Sequence, residues 1–331
     1  MQLRELGGGE ESRENRRRSS GDTILKGAIM WYKLLICCLS LQTVLFAKPV
    51  HQRPVHPRPV LSSAPYLSGD TFRSFCTFHF DEVSSSFNPA KVKKGSRIFV
   101  KTDMLEAFFK EKHALIKHPY ILISHNADHP APGPFSKYLE DKKIIAWFAQ
   151  NVDTVHPKLH PIPIGIANRV WPHGSIDLLT KCRKKIGKTK RTHWLYMNFV
   201  IGTNKDERSR VYKKFIKKPY CVARRGLQQK NYLEDLATVR FVLSPRGNGL
   251  DCHRTWEALY MGAIPIVKTS PMDSLFRKMP VIIVKNWDVV NLAFLKKQYA
   301  RIQRKKYSCK KLFAGYWKAE IASMANNSHE K

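Results

Sequence analysis

Between Phe241 and Val267 the sequence reads FVLSPRGNGLDCHRTWEALYMGAIPIV, and this run holds the residues best spaced for chemistry. Arg254 and Glu257 stand three apart, which puts them on one face of a helix. Ahead of them, after an apolar strand, come Arg246, Gly247, Asn248, Gly249 and Asp251, the last of which is placed to cap that helix. Glycines let the backbone approach a ligand closely, and the free N–H groups and positive end of the following helix favour a phosphate. An arginine in the first helical turn can neutralise a diphosphate, and a carboxylate one turn on can accept hydrogen bonds from ribose hydroxyls. The pattern thus fits a nucleoside diphosphate, with Arg246 to Asp251 as the cradle, Arg254 as its counter-charge and Glu257 on the ribose. The competing reading is a surface ion pair after an ordinary βα loop. No GxxxxGK(S/T) run is present, which leaves a P-loop kinase or ATPase unsupported, and no clean GxGxxG opens a helix.

Other residues could complete such a site. Asn198 follows a strand, and Arg208 and Arg210 lie in the next helix, where an arginine could meet the donor phosphates in place of a metal ion. Two apart on a helix, only one of these arginines can point inward. A group transfer onto a hydroxyl needs a base to take its proton, and the loop Ser124-His125-Asn126-Ala127-Asp128-His129 offers His125 or Asp128 directly after a strand. A polar turn ending at Pro130 would use the same residues merely to form itself. Asn168 and Arg169 stand at a similar strand end, and Trp171 in a loop beside Pro172 and His173 could serve as a platform for a sugar face. With no CxxC or HExxH spacing, neither a metal site nor a resident cofactor is expected.

The elements that must position these residues alternate between short β-branched runs and amphipathic helical stretches, the pattern of parallel sheets wrapped by helices. Strands are predicted at 97–100, 120–124, 144–148 and 162–166, with helices at 105–117 and 135–142. A second series has strands at 194–200, 221–223, 241–243, 264–267 and 281–284, with helices at 206–217 and 232–238. The charged stretch 177–191 is the natural boundary between the two. A last helical region, 289–320, is interrupted near Ser308 and could pack back across the junction.

The run also resembles the carboxy-terminal segment of exostosin-like glycosyltransferases. In that family a strand ending in Pro-x-Gly is followed by Arg, then Glu-Ala-Leu, then Gly-x-Ile-Pro; here these are Ser244-Pro245-Arg246-Gly247, Arg254, Glu257-Ala258-Leu259 and Gly262-Ala263-Ile264-Pro265. Tyr232-Leu233-Glu234-Asp235-Leu236 is similar to the helix before that strand. The resemblance is strongest over residues 193–285. It implies an α/β, GT-B-like fold of two Rossmann-like lobes with parallel sheets, a nucleotide-sugar donor in the second lobe, a glycan acceptor in the first, and metal-independent transfer, with a UDP-sugar the first expectation. The body is short for two full lobes, so the amino-terminal, acceptor lobe is the reduced one. The domain plan is then 66–176 for that lobe, 177–192 for a basic connector, 193–321 for the nucleotide-sugar lobe with carboxy-terminal helices, and 322–331 for a polar tail.

Before the body, Leu34 to Ala47 form an apolar stretch after Lys33, the length of a signal-peptide core. Counted from Ala28, residues 28–47 could instead form a signal anchor touching the membrane, with the arginines at 16–18 held in the cytoplasm. Either directs the protein out of the cytoplasm, and the proline-rich stretch 48–65 follows as a linker. Apart from Cys37 and Cys38 in the apolar segment, the cysteines at 76, 182, 221, 252 and 309 are scattered and odd in number. The formal net charge of +32 lies mostly on the body and would favour an anionic acceptor. Nucleic acid is not the expected partner, since no RNA-binding aromatic motif, zinc finger or basic zipper accompanies the basic residues. The surplus does sustain one alternative, a non-catalytic sugar- or polyanion-binding protein with a degenerate glycosyltransferase lobe.

Overall fold

The structure is a computed structural model that describes residues 60–327. The signal or anchor segment, most of the linker and the last four residues of the tail lie outside the described residues. Among those described, no helix is long and apolar enough to cross a membrane.

Two five-stranded sheets, parallel throughout, form the body. In the first, β1 (Phe78–Phe80), β2 (Ser96–Lys101), β3 (Tyr120–His125), β4 (Ile144–Ala149) and β5 (Leu159–Pro161) lie side by side in chain order. Because side chains alternate along a strand, β3 sends Tyr120 toward α2 (Leu105–Glu111), where it meets Phe108, and sends His125 to the other face, where it stacks on Phe72 of α1 (Gly69–Arg73). Right-handed crossovers in an in-order parallel sheet place all their helices on one face. The second face must be covered from elsewhere in the chain. Here α1 is joined by α8 (Ala314–Asn327), whose Trp317 meets Phe72 edge-on. The carboxy-terminal helix does pack back onto the first lobe, and β3 is buried on both faces as a result.

The second sheet holds β6 (His193–Met197), β7 (Cys221–Ala223), β8 (Val239–Leu243), β9 (Ile264–Lys268) and β10 (Ile282–Val284) in the order β10-β9-β8-β6-β7. The order reverses at β6. Connections leave β6 and β8 in opposite directions and open a crevice above their carboxyl ends, the place where α/β sheets bind ligands. The helices of this lobe are α4 (Lys205–Phe215), α5 (Gln229–Thr238), α6 (His253–Tyr260) and α7 (Leu292–Gln303).

The architecture is thus the expected α/β, GT-B-like pair of lobes. Both sheets keep five strands, so the economy of the chain falls on its helices, several of which are single 3-10 turns. Two helices are shorter than their sequence pattern. The stretch 135–142 is a 3-10 run over Gly133–Leu139, and the helix from Leu105 stops at Glu111, with a 3-10 turn at His113–Leu115. The strand expected at 162–166 is instead the earlier Leu159–Pro161, because Pro161 and Pro163 have no N–H to extend a ladder. Nor is the charged stretch before the second lobe an open connector. Most of it is α3 (Ile176–Lys185), capped by the Ser175 hydroxyl and buried through Leu179 and Cys182. The five cysteines of the body are free thiols.

One apolar cluster runs from the first sheet through Trp256 and Tyr260 of α6 to Met272 and Phe276, and a second fills the far side of the second sheet around Leu195, Phe241 and Ile266.

Candidate functional site

The loops after β6 and β8 and the start of α6 line a cleft of about 700 Å³. The geometry begins with α6. Its apolar positions Trp256, Leu259 and Tyr260 are buried, which turns Arg254 and Glu257 toward the cleft. Arg254 does not pair with Glu257. Its Nε donates to the Asn198 carbonyl at 2.8 Å, and its Nη1 donates to Ser244 Oγ at 3.3 Å and to the Pro245 carbonyl at 3.4 Å. Asn198 therefore acts first through its backbone, while its side chain lines the cleft.

Of the two arginines on α4, Arg208 points inward and Arg210 outward. Arg208 donates to the carbonyls of Arg246 (2.9 Å), Val200 (2.7 Å) and Pro245 (3.3 Å) and to the Thr203 hydroxyl. Arg210 is exposed and donates to the Asp206 carbonyl in its own helix. Arg208 and Arg254 both lie over the Phe199 ring, at 5.6 and 5.3 Å from its centroid. Neither forms an ion pair with a carboxylate among the described residues. Burial, and then the neighbouring Arg254 charge, hold the Arg208 pKa below its ordinary value. Two like charges crowded together and held by neutral oxygens and, for Arg208, the Cys252 sulfur make a receptor for a polyvalent anion.

Along the loop, Gly247 and Gly249 are buried and line the cleft. The Arg246 side chain turns outward and donates to the Asn248 carbonyl, so this residue serves the cleft only through its carbonyl, which holds Arg208, and its charge lies elsewhere. Asn248 reaches across and donates its amide to Asp128 Oδ2 at 3.0 Å.

Asp251 joins the lobes. Its Oδ2 accepts from the Ile164 N–H of the first lobe at 2.9 Å and from Trp256 Nε1 at 2.7 Å, and its Oδ1 accepts from the Cys252 N–H at 2.8 Å. Its own N–H donates to Asn151 Oδ1 at 2.9 Å. The expected helix cap is shifted by one residue: Cys252 holds the N-cap position of α6 without a side-chain cap bond. All these bonds face protein, though Asp251 also borders the cleft.

Glu257 is buried beside the cleft and accepts from the Tyr232 hydroxyl at 3.0 Å. Burial pushes its carboxyl up to about 7, against the pull of that hydrogen bond and of Arg254. Tyr232, on α5, was not legible as a site residue, although its helix was.

A second pocket of about 300 Å³ opens from the first lobe beside the cleft. Asp128, Ile164 and His253 line both spaces. Asp128 is the exposed member of that shared wall. His125 also borders the smaller pocket, but its Nδ1 accepts from the Asn126 N–H and its Nε2 donates to the Pro163 carbonyl. Burial lowers its pKa to about 4, and neither nitrogen is left to take a proton. Trp171, on the loop named for a sugar platform, is exposed and lines the smaller pocket with Asn168. No group of three or more His, Cys, Asp or Glu side chains suited to a metal occurs among the described residues.

The fold and the cleft define the class: a GT-B-like α/β protein with an anion-receptive crevice at the switch point of its second sheet. Residues 223–326 match the family model described as the RXYLT1 C-terminal domain, which supports a glycosyltransferase-related family for this part of the chain. No curated protein matches the chain. The matched stretch begins at the end of β7 and takes in Tyr232, the glycine loop and all of α6.

Proposed function

We propose that this chain transfers a sugar from a nucleoside-diphosphate donor, a UDP-sugar first among them, to a hydroxyl of a glycan acceptor. The observation that carries the reading is the pair Arg208 and Arg254, two guanidiniums fixed by backbone carbonyls, without a carboxylate partner among the described residues, at the mouth of a glycine loop. In this reading they receive the diphosphate and stabilise the charge that develops on it as the glycosidic bond breaks, a task given to a divalent cation in other transferases. Gly247 and Gly249 admit the phosphates to the backbone, and Glu257, steered by Tyr232, receives the ribose hydroxyls. The acceptor enters by the smaller pocket past Asp128. The apolar segment at 34–47 supports an extracytoplasmic compartment for the activity.

Calorimetric titration of the full chain with uridine and guanosine diphosphates tests this directly. Saturable binding is expected, and Arg254→Ala should weaken it by about 10- to 100-fold, the worth of a charged hydrogen-bonding group. The basic surplus supports the competing reading of a polyanion binder. Such a protein would show no saturable nucleotide binding, and its affinity for an anionic polymer would fall steeply with salt and ignore Arg254→Ala.

A further inference from the structure

His253 opens α6 on the wall shared by the cleft and the smaller pocket. Its Nδ1 lies 2.8 Å from the Gly165 carbonyl. A carbonyl oxygen only accepts, so Nδ1 carries the hydrogen and, in the neutral ring, Nε2 carries the lone pair. Nε2 has no hydrogen-bond partner among the described residues. The arrangement is that of a base already oriented: a backbone carbonyl fixes the tautomer, and the free nitrogen belongs to a residue bordering both places where the two substrates would sit. Of the other candidates on this wall, both nitrogens of His125 are engaged, and Asp128, whose Oδ2 receives the Asn248 amide, is an exposed carboxylate with no backbone contact among the described residues to orient it, so His253 and Asp128 are separated by the Asp128→Asn control below.

The surroundings suit the task. Burial holds the ring's pKa below that of an ordinary imidazole, which keeps it unprotonated at neutral pH. The Gly165 bond and Asp128 oppose that shift, while His173 and Arg254 add to it. The positive end of α6 acts in the same direction as these last two.

We infer that His253 is the general base of the transfer, an assignment that rests on the glycosyltransferase reading above. The acceptor O–H proton passes to Nε2 as the acceptor oxygen bonds to the anomeric carbon. The bond from that carbon to the diphosphate oxygen breaks, and its electron pair leaves with the diphosphate toward Arg208 and Arg254. The imidazolium so formed keeps its Nδ1–H on Gly165 and has the Asp128 carboxylate on the same wall as a counter-charge.

The test uses the full-length chain, uridine diphosphate for binding, and release of uridine diphosphate from UDP-glucose, UDP-galactose, UDP-N-acetylglucosamine and UDP-xylose, with water as acceptor. His253→Asn puts an amide N–H where Nδ1 was, preserving the Gly165 bond, and removes the base. Nucleotide affinity should stay within about threefold of wild type while release slows by about 10²- to 10⁴-fold, the range of general-base catalysis. The wild-type rate should rise with pH to a plateau as the ring deprotonates, and the variant should lose that limb, whereas Asp128→Asn should keep it. Unchanged turnover in His253→Asn overturns the inference. So does a loss of nucleotide affinity in step with turnover, which would make His253 a phosphate ligand. A wild type that binds nucleotide yet releases none from any of the four donors also overturns it. A wild type that binds no nucleotide fails earlier, at the transferase reading itself.

Discussion

Glu257, proposed above to receive the ribose, also bears on the stability of the empty protein. Its carboxyl is buried, and burial raises its pKa from 4.5 to about 7. Above pH 4.5 the unfolded chain gives up this proton while the folded chain keeps it, so the contribution is full below pH 4.5 and is lost as pH rises toward 7. The shift corresponds to about 3 kcal/mol. Denaturant unfolding of wild type and Glu257→Gln across pH 4 to 8 should show this decline in the wild type and its absence in the variant; parallel curves would show that the carboxyl is not the source. At this scale the sequence was informative about residue type and poor about direction. Helical spacing showed that only one of Arg208 and Arg210 could face inward, but packing against Phe199 decided which. Arg246 stands beside a loop glycine and still points out. His253 was overlooked because a histidine is unremarkable until its neighbours in space are known, and the Gly165 carbonyl comes from 88 residues earlier.

Among the elements, the basic stretch before the second lobe holds structure that its composition does not announce. Its charges mark it as a basic connector, and Arg191 at its end is half-buried and donates to the carbonyls of Leu236, Val239 and Met261. It thereby ties the end of α5, the start of β8 and the end of α6 together. Gly262, in the left-handed region at φ +70°, lets that guanidinium through: a Cβ there would come within 2.7 Å of Arg191 Nη2. Hydropathy sees the charge and not the three carbonyls. Arg191→Ala should cost about 3 kcal/mol of unfolding free energy, whereas Lys188→Ala, an exposed neighbour, should change it by less than about 0.5 kcal/mol; equal effects would make the stretch a mere spacer. Strands were read more reliably, because apolar runs bounded by turn residues survive most tertiary contexts. Their register and order were not, since nothing local in β6 states that β7 and β8 flank it.

Across the whole molecule the glycine loop does two jobs. It lines the cleft, and through Asp251 and Asn151 it fastens one lobe to the other. Asn151 adopts a left-handed conformation at φ 56° to make this contact, and Gly249 leaves it room, since a Cβ there would lie 2.4 Å from Asn151 Nδ2. Gly249→Ala should therefore lower both the melting temperature and nucleotide affinity, whereas Gly202→Ala, in the turn after β6 with open space around its missing Cβ and no left-handed φ, should spare the lobe junction. Calorimetric unfolding with and without uridine diphosphate would measure both effects. A Gly249→Ala variant with unaltered melting would detach the junction from the loop.

The position of α8 has a consequence for how the chain is made. The first sheet is translated early, yet the face that carries Ile121, Ile123 and His125 is covered partly by Trp317 and Ile321 of the final helix. Emerging from the ribosome, His125 at the end of β3 precedes Trp317 by 192 residues (317 − 125), and the sheet must wait with apolar surface uncovered, the condition in which chaperones engage nascent chains. The lobe that begins first is finished last.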